Sequence, residues 1–487
     1  MSVQLYTSAQ CRELDRVAIE EHGIPGFELM LRAGRAVFEV IVDRWPQART
    51  ITVYCGKGNN AGDGYVVAGL ARELGMDVQL LQVDPGVTFQ GDAALAKAWA
   101  LERDVRPDTT LETIHGDVLV DAMLGTGLQG ALREPYASMV ASINSRPEPV
   151  VAIDIPTGVS ADTGAVLGDA VNADVTVSFI GEKVGLHTGP GLSYRGELVH
   201  DTLGVPAVVL DTVDGVAMLR FDRSELPKLD VNLYKHGVGH LVVVGGDTSM
   251  GGAPLMAAEA ALRTGTGLVS VVTRPEHRPA ILARRPELMV QDGSDVPAVR
   301  ALIAQATGIV LGPGLGRGAW GRQLFELATT TSKPTLIDAD GLRWFAELQP
   351  ELNAVVVTPH AAEAAALLGL STTDVQNDRL AVARKLAAMV QGVAVVKGAG
   401  TVCASAMPAD PGLGICAHGN PGMATAGMGD VLSGVIGGFL AQGLDPHKAA
   451  KVGTCLHSYA ADTASEQVGE RSLLATDLMP AIAQLLR

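Results

Sequence analysis

Asn420-Pro-Gly-Met-Ala-Thr-Ala-Gly-Met-Gly-Asp-Val-Leu-Ser-Gly434 is the stretch on which the reading of this chain turns. Its centre, Ala426-Gly427-Met428-Gly429-Asp430, sets small residues ahead of apolar positions that recur every four residues: Val431, Val435 and Phe439, and Leu432, Ile436 and Leu440. That spacing predicts a helix with one buried face. The glycines deliver free backbone N–H groups to the helix start, where unpaired donors and the helix dipole favour a phosphate or another anion. Asp430 stands beside that anion, where a carboxylate can take a proton from a hydroxyl about to meet a phosphoryl group. An ordinary N-cap after a glycine turn accounts for the same residues, so the rest of the chain has to decide.

The 487 residues exceed what one hydrophobic core holds, so two domains are expected. Hydrophobic residues make up 47% but aromatics only 4%, and the 57 glycines suit an α/β enzyme with many tight strand-to-helix turns. A net charge of -16 speaks against nucleic acid as a partner. Anionic ligands must then be held locally, by loop amides and a few placed cations. The five cysteines, Cys11, Cys55, Cys403, Cys416 and Cys455, show neither a disulfide framework nor a zinc spacing, and reduced buried thiols are expected. Arg12, Glu13, Asp15 and Arg16 stand where a signal peptide needs an apolar core. The uncharged run 431–444 falls short of the ~20 residues of a membrane helix, and Gly and Pro interrupt 411–429. A soluble cytoplasmic protein without membrane partners is expected.

From the amino terminus, 8–43 reads as helical around a break at 23–26. A strand at 50–55, the loop Gly56-Lys-Gly-Asn-Asn-Ala-Gly-Asp-Gly64, a helix at 65–74 and a strand at 78–83 make a βαβ unit. Gly56, Gly58 and Ala61 fit a loose dinucleotide fingerprint, with Asp84 where a ribose-binding acid would stand. Asn59, Asn60 and Asp63 crowd polar groups into the loop apex, which points to chemistry or cation binding. Asp121 follows the strand 118–120 and Asp154 the strand 150–153. Asp63, Asp121 and Asp154 thus gather at the carboxyl edge of a parallel sheet. With no evident Arg or Lys partner, a bound cation or one retained proton would relieve their repulsion.

Pattern weakens through 204–227, and the domain boundary is placed near 212–222, dividing the chain into 1–216 and 217–487. The second half repeats the strand, loop, helix rhythm: 241–244 into Gly245-Gly246, 308–311 into Gly312-Pro-Gly-Leu-Gly316, 335–337 into Asp338-Ala-Asp340, and 355–357 into Thr358-Pro-His360. After the strand 393–396 comes Lys397-Gly-Ala-Gly-Thr401, where Lys397 can pair with a nucleotide phosphate, although such a run also makes a hairpin turn. Asp338, Asp340 and Glu363 offer oxygens for a magnesium held through waters. As an isolated residue, His360 reads as a turn residue or a satisfied hydrogen-bond donor.

The motifs Asn232-x-Tyr234-Lys235, Gly245-Gly246, Ala261-Leu-Arg-Thr-Gly-Thr-Gly267, Leu311-Gly-Pro-Gly-Leu-Gly316, Asp338-Ala-Asp340, Thr358-Pro-His360, Lys397-Gly-Ala-Gly-Thr401 and Gly419-Asn-Pro-Gly-Met-Ala-Thr425 with Gly429-Asp430 resemble the ribokinase-like superfamily, and within it the NAD(P)H-hydrate dehydratases. Gly58-Asn-Asn-Ala-Gly-Asp-Gly64, Asp121 and Asp154-Ile-Pro-Thr157 are similar to the NAD(P)H-hydrate epimerases. The resemblance implies a Rossmann-like three-layer α/β/α domain followed by a ribokinase-like doubly wound α/β domain, and bifunctional repair of hydrated NADH and NADPH. In the second half it implies Asp430 as base, Gly427 and Gly429 as anion hole, and Lys397, Gly398, Ala399, Gly400 and Thr401 as the holders of ADP. Ala253, Gly316 and His360 would lie near the hydrate. In the first half it implies that Asn59, Asn60, Ala61, Gly62 and Asp63, with Gly125, Thr126, Gly127, Leu128, Gln129, Gly130 and Ala131, bind substrate. Asp154 would stand near the reacting carbon, and Asn60, Asp121 and Thr157 would ligate K+. Mg2+ would serve the dehydratase site, and a homo-oligomer is expected.

Three stretches depart from the pattern: Leu29-Met-Leu-Arg-Ala-Gly34 has lost an acid and gained Arg32, Met428 separates the anion-hole glycines, and Ala361-Ala362 follows His360. Two rival readings are a small-molecule kinase, which would release a phosphorylated alcohol, and a protein that binds a dinucleotide without turnover.

Overall fold

Strands whose apolar run is unbroken have two faces to bury, which calls for parallel strands with helices on both sides. Leu241-Val-Val-Val244, Gly308-Ile-Val-Leu311 and Val393-Ala-Val-Val396 are such runs, and every residue in them is buried. The computed structural model describes residues 3–84, 86–108, 114–228, 237–407 and 412–487, so the Asn232-x-Tyr234-Lys235 motif lies outside the described residues. The chain divides into the units Val3–Val216 and Ala217–Arg487.

In the first unit all strand neighbours are parallel, in the order Pro107–Asp108, Asp77–Gln82, Thr50–Cys55, Val118–Ala122, Val150–Ile153, Val175–Phe179 and Glu197–Asp201. Ile51, Val53 and Cys55 face one apolar cluster and Tyr54 another, as the strand period of two requires of the middle sheet in a three-layer domain. Strand order reverses at Thr50–Cys55, and such a reversal opens a ligand crevice at the carboxyl edge. Residues 59–64 are not loop as the sequence reading had them. Gly58 is extended and caps the helix Asn59–Glu73, with Ala61 N and Gly62 N both donating to Gly58 O at 3.1 and 3.3 Å. Asn59, Asn60 and Asp63 therefore project from a helical first turn. Upstream, Ser8–Arg16 runs into a π-helical turn, Val17–Glu21, closed by His22 N donating to Val17 O, before the helix Gly26–Arg44.

The second unit's sheet runs Val216–Leu219, Gly412–Cys416, Val402–Ser405, Val393–Val396, Val355–Val357, Thr335–Ile337, Gly308–Leu311, His240–Val244, Leu268–Thr273 and Met289–Asp292. Val402–Ser405 runs antiparallel to both of its neighbours, Val393–Val396 and Gly412–Cys416, so the turn 397–401 is a hairpin at the carboxyl edge of the parallel strands. Strand order reverses again at His240–Val244. The helix Met428–Ala441 packs against Gly252–Arg263 through small residues: a methyl at Gly434 would strike the Ala257 carbonyl, and one at Gly438 the Thr264 hydroxyl. Among the described residues no helix is long and apolar enough to cross a membrane.

Because that helix contact is backbone to backbone, Gly434→Ala is expected to cost the second unit about 1–3 kcal/mol. Gly252→Ala, where an added methyl meets nothing within 4 Å, stays within about 0.5 kcal/mol. Urea unfolding followed through Trp320 and Trp344 measures the difference.

Candidate functional site

At the carboxyl edge of the second sheet, Asp338 follows the strand Thr335–Ile337, Lys397 follows Val393–Val396, and the helix Met428–Ala441 supplies Asp430 and Ser433. Asp338 is buried. Lys397 Nζ donates to its Oδ1 at 2.7 Å and Ser433 Oγ to its Oδ2 at 2.8 Å. Lys397 Nζ is also 3.8 Å from Glu363 Oε2. Burial works against the ammonium, but Asp338 and Glu363 outweigh it and hold the lysine above its ordinary range. Burial first, and then Asp338, push the Asp430 carboxyl up to about 7 against the pull of Lys397. Near neutral pH this carboxylate can both accept and release a proton.

Gly427, with φ +90°, turns the chain into the helix, and the first backbone bond back is Val431 N to Gly427 O at 3.0 Å. The helix leaves the amides of Met428, Gly429 and Asp430 without partners inside it, which makes an anion cradle. A Cβ at Gly429 would stand 3.2 Å from Lys397 Nζ and 3.4 Å from Asp338 Oδ2, so glycine keeps the space between cation and acids open. In the hairpin, Gly398 N donates to Thr401 Oγ1 at 3.3 Å and Thr401 Oγ1 donates to Gly398 O at 3.0 Å.

Gly316 N donates to Asp340 Oδ2 at 2.9 Å, and Trp344 Nε1 donates to Gly316 O at 3.0 Å. Ala253 packs beside Gly314, and Gly316 lies against Asp247, whose carboxylate is paired with Arg274 at 2.8 Å. His360 caps the helix Ala361–Leu368, its Nδ1 accepting from Ala362 N at 3.1 Å and Glu363 N at 3.2 Å. It is thus a turn residue that accepts through Nδ1, with Nε2 turned to Glu363 Oε1 at 3.4 Å. Asp338 and Glu363 share Lys397 while Asp340 accepts from Gly316 N, and no metal-type cluster of three such side chains forms among the described residues.

In the first unit a cavity of about 850 Å³ opens over the carboxyl edge. Asp154 sits in it with a left-handed backbone, φ +65°, a conformation that costs a non-glycine residue roughly 1–2 kcal/mol. Asp154 N donates to Val177 O at 2.7 Å, which holds the turn. Its carboxylate forms an ion pair with the buried Lys183, whose Nζ also donates to Phe179 O at 2.9 Å and Ser178 Oγ at 3.2 Å. Asp63 and Asp15 share the cavity. Burial, then Asp154 and Asp15, raise the Asp63 carboxyl well above the usual carboxylate range; burial first and Asp154 after it bring Asp15 to about 6, with Lys183 opposing both.

Asp121 is buried and accepts from Thr157 N at 2.7 Å, Thr157 Oγ1 at 2.8 Å and Met123 N at 3.2 Å. Burial pushes it up to about 6, against those three bonds. Asn60 Nδ2 is buried without a partner. A side-chain amide is oriented by its hydrogen bonds, and turning this one over would aim its oxygen into that space.

Two family models match the chain: "NAD(P)H-hydrate dehydratase" over residues 241–484 and "YjeF-related protein N-terminus" over 26–185. A bifunctional NAD(P)H-hydrate repair enzyme from Coxiella burnetii is 44% identical over 99% of this chain and 99% of its own length. One from Escherichia coli is 42% identical over 98% of this chain and 92% of its own. The chain belongs to the bifunctional NAD(P)H-hydrate repair enzymes. A ribokinase-like superfamily protein from Enterococcus faecalis matches 55% of the chain and 95% of its own, at 28% identity and a TM-score of 0.51. The resemblance read from the motifs thus holds over nearly the whole chain, and the second unit is ribokinase-like.

Within this repair-enzyme chain, the dehydratase-family half brings Asp430, Lys397, Gly429 and Asp338 together. In the epimerase-family half, Asn59, Asn60, Asp63, Gly125, Thr126, Gly127, Leu128, Gln129, Ala131 and Asp154 line the cavity, as does Asp84, while Ala61, Gly62 and Gly130 stand outside its lining. Two expectations need correcting. Asp63, Asp121 and Asp154 do not share one open site, because Asp121 is sealed behind the turn of Thr157. The acids also do not lack a basic partner, since Lys183 pairs with Asp154. The signal for Lys183 was present in Gly181-Glu-Lys-Val-Gly185, which follows a strand at the same sheet edge. Asp15 and Ser433 were also missed; Ser433 stands one helical turn beyond Asp430.

Since Lys397 is the group that draws the Asp430 carboxyl downward, Lys397→Met is expected to raise its pKa further, by roughly one unit. Carbon NMR titration of labelled aspartate, with Asp430→Asn to assign the resonance, measures the shift.

Proposed function

We propose that the chain restores hydrated NADH and NADPH: the first unit interconverts the R and S epimers at nicotinamide C6, and the second returns the S epimer to NAD(P)H at the expense of ADP. The observation that carries this reading is Asp430, titrating near neutrality at a helix N-terminus beside Lys397. Asp430 takes the proton of the C6 hydroxyl as its oxygen attacks the β-phosphorus of ADP and AMP leaves. The first-turn amides around Gly427 and Gly429 hold the charge on the transferring phosphoryl group; one such donor is worth about 10²- to 10³-fold. Phosphate then departs with the electron pair of the C6–O bond while C5 gives up a proton to solvent, and the C5=C6 double bond re-forms. Lys397, Gly398, Ala399, Gly400 and Thr401 hold the nucleotide, with Ala253, Gly316 and His360 toward the hydrate. Magnesium would offset the charge of the nucleotide's phosphates, and Asp338, Asp340 and Glu363 offer oxygens that would hold it through waters.

In the first unit, Asn59 to Asp63 and Gly125 to Ala131 form the substrate wall, and Asp154, oriented by Lys183, faces the C6 centre. Asn60, Asp121 and Thr157 are a hard-oxygen set that suits a potassium ion, and the orphaned Asn60 amide fits that role. The ion would supply a fixed positive charge beside the substrate wall. The five free, buried thiols accord with a reducing cytoplasmic setting.

An epimeric mixture of NADH hydrate with ADP, magnesium and potassium tests the assignment through recovery of reduced-nicotinamide absorbance. Asp430→Asn is expected to slow recovery of both epimers by about 10²- to 10⁴-fold, and the wild-type rate to fall below pH ~7 as Asp430 takes up a proton. Asp154→Asn should convert the S epimer at the wild-type rate and stall on the R epimer. Full recovery of both epimers by either variant would contradict the role given to that residue.

Exchanging potassium for tetramethylammonium, too large for the site, is expected to slow R-epimer conversion at least about tenfold while leaving S-epimer dehydration within about twofold. Equal loss on both epimers would place the ion elsewhere.

A further inference from the structure

Arg379 opens the helix Arg379–Val390 and is 1% exposed. Of its five N–H donors, Nη2 gives one to Val396 O at 2.9 Å and Nη1 one to Gln376 Oε1 at 3.2 Å, while buried Nε has no partner. No acid shifts it: burial alone brings the guanidinium down to about 10, leaving it charged at neutral pH. Three costs therefore fall on one side chain. A buried charge without a counter-ion is expensive, two neutral acceptors do not satisfy a guanidinium, and a cation at a helix N-terminus opposes the helix dipole. A structural role in bonding one carbonyl and one amide does not require a positive charge.

The charge sits directly beneath the hairpin 397–401. A Cβ built on Gly398 would stand 2.6 Å from Arg379 Nη1 and 2.9 Å from Nη2, and Gly398 adopts φ +143°. Gly398 is thus the point where the loop backbone lies on the guanidinium, and Val396, whose carbonyl it binds, precedes Lys397. From these contacts we infer that Arg379 is the buried countercharge for the nucleotide's phosphates, acting through the loop 397–401 as a positioning residue and setting a preference for more highly charged nucleotides. This rests on the reading of 397–401 as the nucleotide loop. The ligand supplies the negative charge that the protein withholds, so the interaction grows with the number of phosphates.

Isothermal titration of the full chain with ADP, AMP and adenosine, without magnesium, tests this. In Arg379→Gln the affinity for ADP is expected to fall about tenfold or more and that for AMP about threefold, with adenosine changed less than about twofold. Arg379→Lys, which keeps the charge but has fewer donors, should keep the wild-type ratio of ADP to AMP affinity within about twofold even where all three ligands weaken. Equal loss across the three ligands in Arg379→Gln would mark a merely structural role and overturn the inference, as would a collapsed ADP-to-AMP ratio in folded Arg379→Lys. The lysine arm decides the matter alone if Arg379→Gln does not fold. A wild-type chain that binds none of the three would remove the nucleotide reading of the loop itself, a separate and recognisable failure.

Discussion

A carboxylate buried as deeply as that of Asp338 must have its charge answered within hydrogen-bond reach, or the strand end carrying it would not stay folded. The answer comes from two distant parts of the chain, Lys397 at 2.7 Å and Ser433 at 2.8 Å. Those two bonds fix the start of the hairpin 397–401 and the rotation of the helix Met428–Ala441 about its axis. The helix in turn fixes Asp430, whose carboxyl is lifted to about 7 by burial first and by the negative field of Asp338 after it. One buried ion pair thus fixes the placing of the helix start with its free amides and, together with burial, shapes the basicity of the carboxylate beside it. Glycine at 429 follows from the same pair, since a side chain there would press on both of its members.

The first unit uses the same device with more acid. Lys183 neutralises one carboxylate, Asp154, and leaves Asp63 and Asp15 to share the cavity. Close carboxylates in a partly dry space raise one another's pKa, and burial adds to that for both Asp63 and Asp15. Epimerisation at a carbon that bears both a hydroxyl and a ring nitrogen needs proton transfer and no redox cofactor. The exposed cations of the lining, Arg12, Lys57 and Arg133, stand apart from the buried Asp63 and Lys183.

The sheets were legible because parallel strands buried on both faces are written as unbroken apolar runs, and each run before a glycine or aspartate marked a carboxyl edge. Asp430, Lys397, Asp154 and the Asn59 to Asp63 turn could be found for that reason: they stand immediately after such runs or ahead of a periodic helix. What stayed hidden depends on pairing across the fold. Nothing near Asp154 in sequence names Lys183, 29 residues on, and nothing near Gly398 names Arg379. The turn at 59–64 read as loop because glycines and asparagines are poor helix formers, yet Gly58 caps it and the packed sheet edge carries its first turn. Asp121 read as one of three acids in a common site because it follows a strand, whereas its buried carboxylate accepts three bonds around the turn of Thr157.

The three departures from the family pattern fall where side chains face away from the chemistry. Met428 is buried in the apolar cluster beneath its helix, so the anion cradle receives only its backbone amide, which any residue but proline supplies. Arg32 donates to Leu203 O at 2.8 Å and Glu28 Oε1 at 3.0 Å, tying its helix to a neighbouring turn, while Asp15 from the preceding helix puts a carboxylate into the cavity. Ala361 and Ala362 stand in the first helical turn that His360 caps, and that cap uses only the backbone amides of residues 362 and 363. A pattern position is constrained by the atom it contributes. Where that atom is a backbone amide the side chain can vary, and where it is the Asp430 carboxylate or the Lys397 ammonium it cannot.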